Sequence, residues 1–253
     1  MAGTAVLGRL TWRRARVTGT RLETPIITTL ALEVPGWPGH RPGQHVDVRL
    51  TAEDGYQAER SYSIASAPDQ GHQEHVELSV ERIDDGEVSP YLVNELRPGD
   101  QLELRGPVGG YFVWEPHLGG PLQLVGGGSG MVPLMAMLRH RAAEDSMVPT
   151  RLLLSSRTAA DILYREELER LAATDPAVRV THTLTRVQPP GWNGPARRID
   201  AAMLQEVAWP PADRPLTYVC GPTRLVETVA STLVELGHDP ARVKTERFGP
   251  TGV

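Results

Sequence analysis

Cysteine is almost absent from this sequence, since Cys220 is the only one among 253 residues. A single thiol cannot form a disulfide within the chain, and it cannot supply a zinc site made of cysteines. Nor can it supply the four thiolates that hold a 2Fe–2S cluster. The eight histidines show no spacing typical of metal ligands, so we interpret them as solvated or structural and predict no bound metal.

Long apolar runs are also missing, because no stretch approaches the roughly 18 residues of a membrane-spanning helix. The first residues, MAGTAVLGRLTWRR, lack the basic-then-apolar order of a signal peptide. Lysine is represented by Lys244 alone among 26 basic residues, and the net charge of −5 comes without a basic block. We therefore expect a cytoplasmic protein with no membrane span and no affinity for nucleic acid.

A glycine-rich stretch is the most prominent feature that the sequence does contain. The apolar run 122–125 leads into residues 126–130, GGGSG, and a helical pattern with Leu134 and Leu138 on one face follows. This order predicts a strand, a tight turn and a helix N-terminus, where free N–H groups can hold a phosphate. Met131 stands where the dinucleotide fingerprint has its third glycine, so an ordinary turn before a packed helix stays open at this point.

The first half of the chain has the pattern of an antiparallel β-barrel. Pairs such as Pro35 with Gly36 and Pro98 with Gly99 separate short alternating stretches, which is typical of small barrels. A helical stretch over 89–96 is expected to close the barrel. The predicted strands are 5–17, 26–34, 44–50, 75–80 and 101–104.

The second half alternates strands with helices, which indicates a parallel sheet covered by helices. A short linker over 115–121 leads us to predict two domains, 1–115 and 121–253. Ligands of such sheets bind at the carboxyl ends of the strands. Here those ends are residues 126–130, 155–157, 185–186 and 220–222. The predicted strands are 122–126, 151–155, 178–184, 216–220 and 243–247, and the predicted helices are 131–142, 163–172, 200–206 and 223–236.

Residues 60–63, Arg-Ser-Tyr-Ser, carry groups suited to a flavin, and from the residues alone they fit equally an ordinary strand with one exposed arginine and a core tyrosine. The Arg60 guanidinium can bind a pyrophosphate through two hydrogen bonds, Tyr62 offers a flat face to the isoalloxazine, and the Ser63 hydroxyl can reach the flavin N5 edge. The motif resembles the Arg-x-Tyr-Ser/Thr motif of the ferredoxin–NADP reductase superfamily. The resemblance extends over nearly the whole chain, and it implies an FAD-binding barrel followed by an NAD(P)H-binding α/β domain, without an iron–sulfur domain.

Two further stretches of the barrel resemble flavin-binding segments of that family. Gly86, Val88 and Ser89 belong to a Gly-Glu-Val-Ser stretch similar to the turn whose N–H groups hold the flavin pyrophosphate. Residues 106–112, GPVGGYF, resemble the family's Gly-Pro-x-Gly-x-Phe segment, which implies passage beside the flavin. From the residues alone, the first stretch also fits an ordinary helix cap near Ser89, and the second a tight turn between strands.

The glycine loop of the second domain is similar to the family's own loop, which differs from the dehydrogenase fingerprint. The resemblance implies that this loop holds the pyrophosphate of NAD(P)H, and that Ser129 faces the pyrophosphate or the nicotinamide. The residues assigned to this role are Gly127, Gly128, Ser129 and Gly130.

Arginines follow two of the predicted strands. The resemblance places an adenosine ribose site at Ser156 and Arg157, and Arg186 falls where NADP-preferring bacterial relatives carry a second arginine. Arg198, or its neighbour Arg197, is the candidate for a third. Arginine suits the 2′-phosphate of NADP, where an acid would select NAD. We therefore expect NADPH, with NADH as the alternative, because NADH-using relatives also carry an Arg-Thr pair at the first position.

Cys220, Gly221 and Pro222 follow the last long strand and resemble the family's Cys-Gly-Pro motif, which implies a thiol near nicotinamide C4. No histidine or aspartate arrangement for a cysteine nucleophile is evident, so the expected role of the thiol is positioning. On a strand, a lone cysteine also fits a buried small hydrophobe.

Glu246 and Phe248 end the last predicted strand. The resemblance implies that Phe248 covers the flavin face opposite the tyrosine, and that Glu246 relays protons or orients the nicotinamide. In plant-type members the aromatic is the last residue, whereas five residues follow Phe248 here. The candidate catalytic residues are Ser63, Cys220 and Glu246.

The resemblance implies an FAD-dependent oxidoreductase that takes a hydride from NADPH or NADH and passes electrons singly to an acceptor. Because one cysteine cannot hold an iron–sulfur cluster, we expect a separate acceptor protein, namely a ferredoxin, a flavodoxin or an oxygenase component. Two alternatives stay open. One is a reductase of free flavin or ferric chelates, and the other is an electron-transfer subunit that is inactive alone.

Overall fold

The computed structural model describes residues 10–68 and 74–248 of the chain. They form a six-stranded antiparallel sheet followed by a five-stranded parallel sheet, which confirms the predicted fold class. Within those two ranges, no helix has the length and apolar character needed to cross a membrane. The domain bounds 1–115 and 121–253 stay predictions.

The first sheet curls into a barrel. Its elements are β1 Trp12–Thr24, β2 Ile27–Glu33, β3 His45–Thr51, β4 Gln57–Ser63, β5 His75–Glu81, α1 Ser89–Asn94 and β6 Gln101–Val108. The strand order is β4-β3-β6-β1-β2-β5, and a bridge between Ile64 and Leu78 joins the two ends of the sheet. Alternate residues point inward, so Ala15 and Val17 are buried while Arg14 and Arg16 face solvent.

Three barrel strands differ from the predictions, and one of them, β6, runs to Val108, four residues beyond its predicted end. β1 runs to Thr24, seven residues beyond the predicted end, because its pairing with β2 continues through polar residues; residues 5–9 of that prediction lie outside the described part of the chain. β4 was absent from the predicted strands, because its sequence QAERSYS lacks an apolar alternation. Antiparallel pairing with β3 along its full length forms this strand.

The second domain consists of β7 Leu122–Gly127, α2 Met131–Ala143, β8 Thr150–Ser156, α3 Arg165–Thr174, β9 Val178–Leu184, α4 Ala201–Val207, β10 Leu216–Pro222, α5 Thr223–Glu235 and β11 Val243–Phe248. The strands form a parallel sheet in the order β11-β10-β7-β8-β9, with helices packed against it. Each element begins and ends within two residues of its predicted bounds.

The two sheets share one apolar core at their junction. Phe112 and Trp114, which leave the barrel, are buried in the same cluster as Leu134 of α2 and Tyr218 of β10. The Phe112 ring meets the Tyr218 ring edge to face at 5.2 Å, and the Tyr218 hydroxyl donates to the Val113 carbonyl at 2.6 Å. Because this contact is buried and directional, it fixes how the two domains face each other.

Gly43 occupies the tightest point of this junction. Its φ is +96°, and a Cβ there would lie 2.0 Å from the Phe112 carbonyl oxygen and 2.9 Å from Met137 Cε. We expect Gly43→Ala to lower the free energy of unfolding by about 2–4 kcal/mol, the sum of a backbone penalty and overpacking. The measurement is urea denaturation followed by far-UV circular dichroism.

Gly55→Ala is the matched control for this substitution. Gly55 has a similar φ of +88°, but a Cβ there meets nothing within 4 Å. Its expected loss is the backbone penalty alone, about 1–2 kcal/mol. Equal losses for the two variants would contradict the close packing at Gly43.

Candidate functional site

A cleft of about 720 Å³ opens between the barrel and the parallel sheet. Its volume lies in the range of about 300–1,000 Å³ typical of small-molecule sites. The barrel lines it with the end of β4 and the turn before α1, and the second domain lines it with several strand ends. The lining includes residues 60–63, 86–89, 127–129 and 155–157, together with Thr185, Pro222 and Phe248.

Tyr62 and Ser63 lie at the end of β4 and face this cleft. Burial raises the pKa of Tyr62 to about 12, so its ring is a neutral, half-buried surface at physiological pH. Ser63 is buried, and its Oγ has no hydrogen-bond partner among the described residues. A buried hydroxyl without a partner is costly unless a ligand satisfies it, so both residues fit a planar group with polar edges, such as a flavin.

Arg60 also lines the cleft, and its side chain is about half exposed. Its Nη2 donates to the Glu87 carboxylate at 2.9 Å, and the Tyr56 hydroxyl donates to the same carboxylate at 2.8 Å. Because an exposed ion pair is weak, the Arg60 guanidinium can leave Glu87 and bind a phosphate with little loss of free energy.

The turn before α1 is held by two hydrogen bonds. The Gly86 N–H donates to the Ile83 carbonyl at 2.8 Å, and the Ile83 N–H donates to Ser89 Oγ at 3.0 Å. Val88 occupies the N-cap position of α1 and makes no side-chain hydrogen bond there. Ser89 is thus the first residue of the helix and not its cap. The turn presents Gly86, Val88 and Ser89 to the cleft.

The stretch 106–112 is not among the residues that line the cleft. Phe112 is buried in the junction core against Tyr218, and Tyr111 is exposed to solvent. The passage of this stretch beside the flavin stays a prediction.

The glycine loop combines open space with close packing. Gly128 has φ +58° with nothing within 4 Å of a Cβ, so its backbone is open to a ligand. At Gly130 a Cβ would lie 2.3 Å from the Cys220 carbonyl oxygen, and at Gly127 it would lie 2.6 Å from Leu225 Cδ1. Gly127 and Gly130 thus allow the loop to approach β10 and α5, while Gly128 and Ser129 line the cleft.

Of the predicted arginines, Arg157 lines the cleft, whereas Arg186 and Arg198 lie outside its lining. The Arg186 N–H donates to the Arg157 carbonyl at 2.9 Å, which brings these two residues side by side. Arg197 is held by Asp200 at 2.7 Å. The side chains of Arg157, Arg186 and Arg198 have no hydrogen bond or ion pair with the rest of the described residues.

Two polar residues lie next to Arg157 in the cleft. Ser156 is buried, and its Oγ has no partner among the residues that the structure describes. Asp161 was missed from the sequence; its carboxylate accepts the Thr158 N–H at 2.9 Å and the Thr158 hydroxyl at 2.8 Å. The spacing from Thr158 to Asp161 is that of a capping box, which is the signal that could have identified this carboxylate.

Cys220 and Glu246 are register partners on the adjacent strands β10 and β11, and neither lines the cleft surface. Burial, with a smaller effect of Glu246, raises the pKa of the Cys220 thiol well above its usual range. Burial also raises the pKa of Glu246 to about 7. The thiol is therefore neutral and not a nucleophile, while the carboxyl group titrates near neutrality.

His45 is the second residue that the sequence did not reveal. Its Nδ1 lies 3.9 Å from Glu246 Oε1, and it pairs with Ser63 across strands β3 and β4. Glu246 Oε2 is buried without a partner among the described residues. Burial lowers the pKa of His45. No local sequence signal links residues 45 and 246, because the contact joins two domains.

The barrel and the parallel sheet face one shared cleft, and each of them matches a known domain family. Residues 27–113 match the oxidoreductase FAD-binding domain family, and residues 124–231 match the oxidoreductase NAD-binding domain family. Ferredoxin–NADP reductase B of Sorangium cellulosum is 33% identical over 241 residues, covering 92% of this chain and 96% of that protein. The chain belongs to the ferredoxin–NADP reductase family of FAD- and NAD(P)-binding oxidoreductases.

Two further similarities support this assignment. The glycine betaine monooxygenase reductase subunit of Chromohalobacter salexigens is 32% identical over 213 residues, or 83% of this chain, but the chain spans only 56% of that relative. The flavohem-like FAD/NAD binding domain of nitric oxide dioxygenase from Vibrio cholerae superposes with a TM-score of 0.83 at 26% identity, covering 94% of this chain and 99% of that domain.

The family assignment confirms the predicted resemblance and the predicted cofactors. The protein is an NAD(P)H-dependent flavoprotein oxidoreductase with an FAD-binding and an NAD(P)-binding domain.

Proposed function

We propose that this protein takes a hydride from NADPH, or from NADH, and delivers electrons singly to a separate acceptor protein. The observation that supports this most is the shared cleft, in which the Arg-Ser-Tyr-Ser motif faces the strand ends of the second domain. The acceptor would be a ferredoxin, a flavodoxin or an oxygenase component. Relatives described as reductase components of monooxygenase and naphthalene dioxygenase systems support the last of these.

On the barrel side, Arg60 leaves Glu87 to bind the FAD pyrophosphate, and the turn at Gly86, Val88 and Ser89 borders it. Tyr62 would pack against one flavin face, Ser63 would donate its hydroxyl near N5, and Phe248 would cover the opposite face. FAD, when bound, would accept the hydride as an electron pair and release electrons one at a time.

In the second domain, the glycine loop at 127–130 holds the NAD(P)H pyrophosphate and nicotinamide together with Gly221 and Pro222. Ser156 hydrogen-bonds the adenosine ribose, and Arg157 binds its 2′-phosphate together with Arg186 and Arg198. The exposed guanidiniums of Arg157, Arg186 and Arg198 can turn toward a phosphate because no carboxylate among the described residues holds them.

Cys220 and Glu246 position the nicotinamide. The thiol is small and neutral, so it allows C4 to approach the end of β10, and ionised Glu246 stabilises the positive charge that the nicotinamide ring gains as it loses a hydride. His45 lies 3.9 Å from Glu246 and opposite Ser63 on the neighbouring strand. Its imidazole is therefore placed to move a proton between Glu246 and Ser63.

Arg157→Ala tests the choice of nucleotide. We expect the KM for NADPH to rise about 10- to 100-fold, the loss of a charged hydrogen bond worth about 1.5–3 kcal/mol, while the KM for NADH changes about twofold or less. Initial rates with ferricyanide as acceptor measure both. Arg170→Ala, at an exposed arginine of α3, is the control and should change neither value. Equal effects of Arg157→Ala on both nucleotides would remove the case for a 2′-phosphate site.

The acceptor is tested by comparing substrates of the purified, FAD-loaded protein. Gel filtration first establishes that the chain retains FAD, and NADPH-dependent reduction of a dye then establishes turnover. Faster reduction of ferredoxin or flavodoxin than of free FMN or ferric citrate supports the proposal. Loss of FAD on the column, together with rapid reduction of added flavin, would favour a reductase of free flavin. A colourless, inactive chain would favour an electron-transfer subunit that needs a partner for activity.

A further inference from the structure

Strand β5 contacts the nucleotide-binding domain through three alternating residues, Glu77, Ser79 and Glu81, which we call the β5 contact face. Side chains two residues apart on a strand point to the same side. Glu77 accepts from Arg139 at 3.0 Å, Ser79 shares a hydrogen bond with Tyr164, and Glu81 accepts from the Ser129 hydroxyl at 2.5 Å. One strand of the barrel thus holds three parts of the other domain.

The first contact is partly buried, the second is buried, and Arg139 takes part in both. Arg139 of α2 also donates to Glu167 at 2.7 Å and to the Ala65 carbonyl at 2.9 Å. Tyr164 is buried, and the Arg139 guanidinium lies 5.0 Å from its ring centroid. Because Arg139 takes part in several of these contacts, the network of Arg139 and Tyr164 keeps the two domains in a fixed orientation.

The third contact differs, because Glu81 and Ser129 both line the cleft. Ser129 belongs to the glycine loop, whose backbone at Gly128 is open to a ligand. Glu81 forms no ion pair with any residue in the described ranges, so its negative charge is uncompensated at this point. A pyrophosphate held by the loop would compete with Glu81 for the same hydroxyl, and it would be repelled by the carboxylate.

We propose that Glu81 sets the affinity for the dinucleotide, because its carboxylate must give up Ser129 before the loop can bind the pyrophosphate. The inference rests on the proposed nucleotide site at the glycine loop. Both NADP⁺ and NAD⁺ carry a pyrophosphate, so Glu81 weakens both equally. Its role is therefore separate from the selection between them at Arg157.

The experiment uses the FAD-loaded full chain and measures dissociation constants of NADP⁺ and NAD⁺ by calorimetry. Glu81→Gln keeps an acceptor for Ser129 but removes the charge, and we expect about fivefold tighter binding of both nucleotides. Glu81→Asp keeps the charge and should show no gain. Glu53→Gln removes one exposed charge of the same domain, outside the cleft lining, and should match the wild type.

Two further readouts separate charge repulsion from a structural role. The gain from Glu81→Gln should shrink at about 0.5 M salt, since screening weakens the repulsion. Adenosine 2′-monophosphate, which lacks the pyrophosphate, should bind the variant and the wild type equally.

Unchanged or weaker dinucleotide binding by Glu81→Gln would overturn the inference, as would an equal gain for adenosine 2′-monophosphate. Failure of the proposed function gives a different result, because the wild type itself would then bind neither nucleotide.

Discussion

Glu246→Gln is expected to slow reduction of the flavin by NADPH about 100-fold at about pH 8 and to abolish the pH dependence of that step. Burial raises the pKa of Glu246 to about 7, so the group is neutral at lower pH and ionised at higher pH. The ionised form stabilises the positive charge that develops on the nicotinamide. The wild-type rate should therefore rise as the pH increases through about 7.

Stopped-flow loss of flavin absorbance under anaerobic conditions measures this step directly. Glu235→Gln, which changes an exposed glutamate at the end of α5, is the control and should keep the wild-type profile. A Glu246→Gln variant that keeps both the rate and the inflection near neutral pH would show that this carboxyl group plays no part in hydride transfer.

The same substitution should stabilise the fold at high pH. The folded-state pKa of Glu246, about 7, lies above its ordinary value of 4.5, so the folded protein binds a proton more tightly than the unfolded chain. The bound proton therefore adds to the free energy of unfolding. This stabilisation is fully present below about pH 4.5 and is lost as the pH rises through about 7, a change of about 3 kcal/mol. A variant that is slower yet more stable separates loss of function from loss of folding.

Arg60→Ala is expected to raise the dissociation constant of FAD about 100-fold, because two charged hydrogen bonds to the pyrophosphate are lost together. Arg60→Lys should recover only part of the affinity, since an ammonium group cannot reproduce the two parallel bonds. Fluorescence titration of the FAD-free protein with FAD measures these constants.

Arg14→Ala, at an exposed arginine of β1, controls for the loss of one positive charge from the barrel. It should bind FAD as the wild type does. If Arg60→Ala also retained the wild-type constant, the pyrophosphate would have to be held elsewhere in the cleft.

The fold was largely predictable because its periodicities are local. Each element of the parallel sheet lies within two residues of its predicted position, since apolar strand residues and helical spacing alternate plainly. β4 was not predicted as a strand, because its polar sequence is extended only through pairing with β3. The end of β1 at Thr24 likewise depends on a partner strand.

The site was predictable as a set of strand ends but not as a set of contacts. Arg60, Tyr62, Ser63 and Arg157 lie in one cleft as the motifs indicated. The roles of these and the other candidate residues stay predictions until tested.

Contacts between the domains gave no local signal. His45 lies 3.9 Å from Glu246, and Glu81 lies 2.5 Å from Ser129, although each pair is far apart in sequence. The motif over 106–112 likewise gives no signal that its Phe112 side chain packs in the core between the domains. Motif likeness identifies residue types, whereas the orientation of the two domains decides which of them meet.

The most direct test of the shared cleft is an anaerobic titration of the FAD-loaded protein with NADPH, and separately with NADH, followed by visible absorption. We expect the yellow flavin bands to bleach after one equivalent of nucleotide, with NADPH acting at lower concentration than NADH. A chain that takes up no FAD, or one whose flavin bands persist with excess of both nucleotides, would contradict the account.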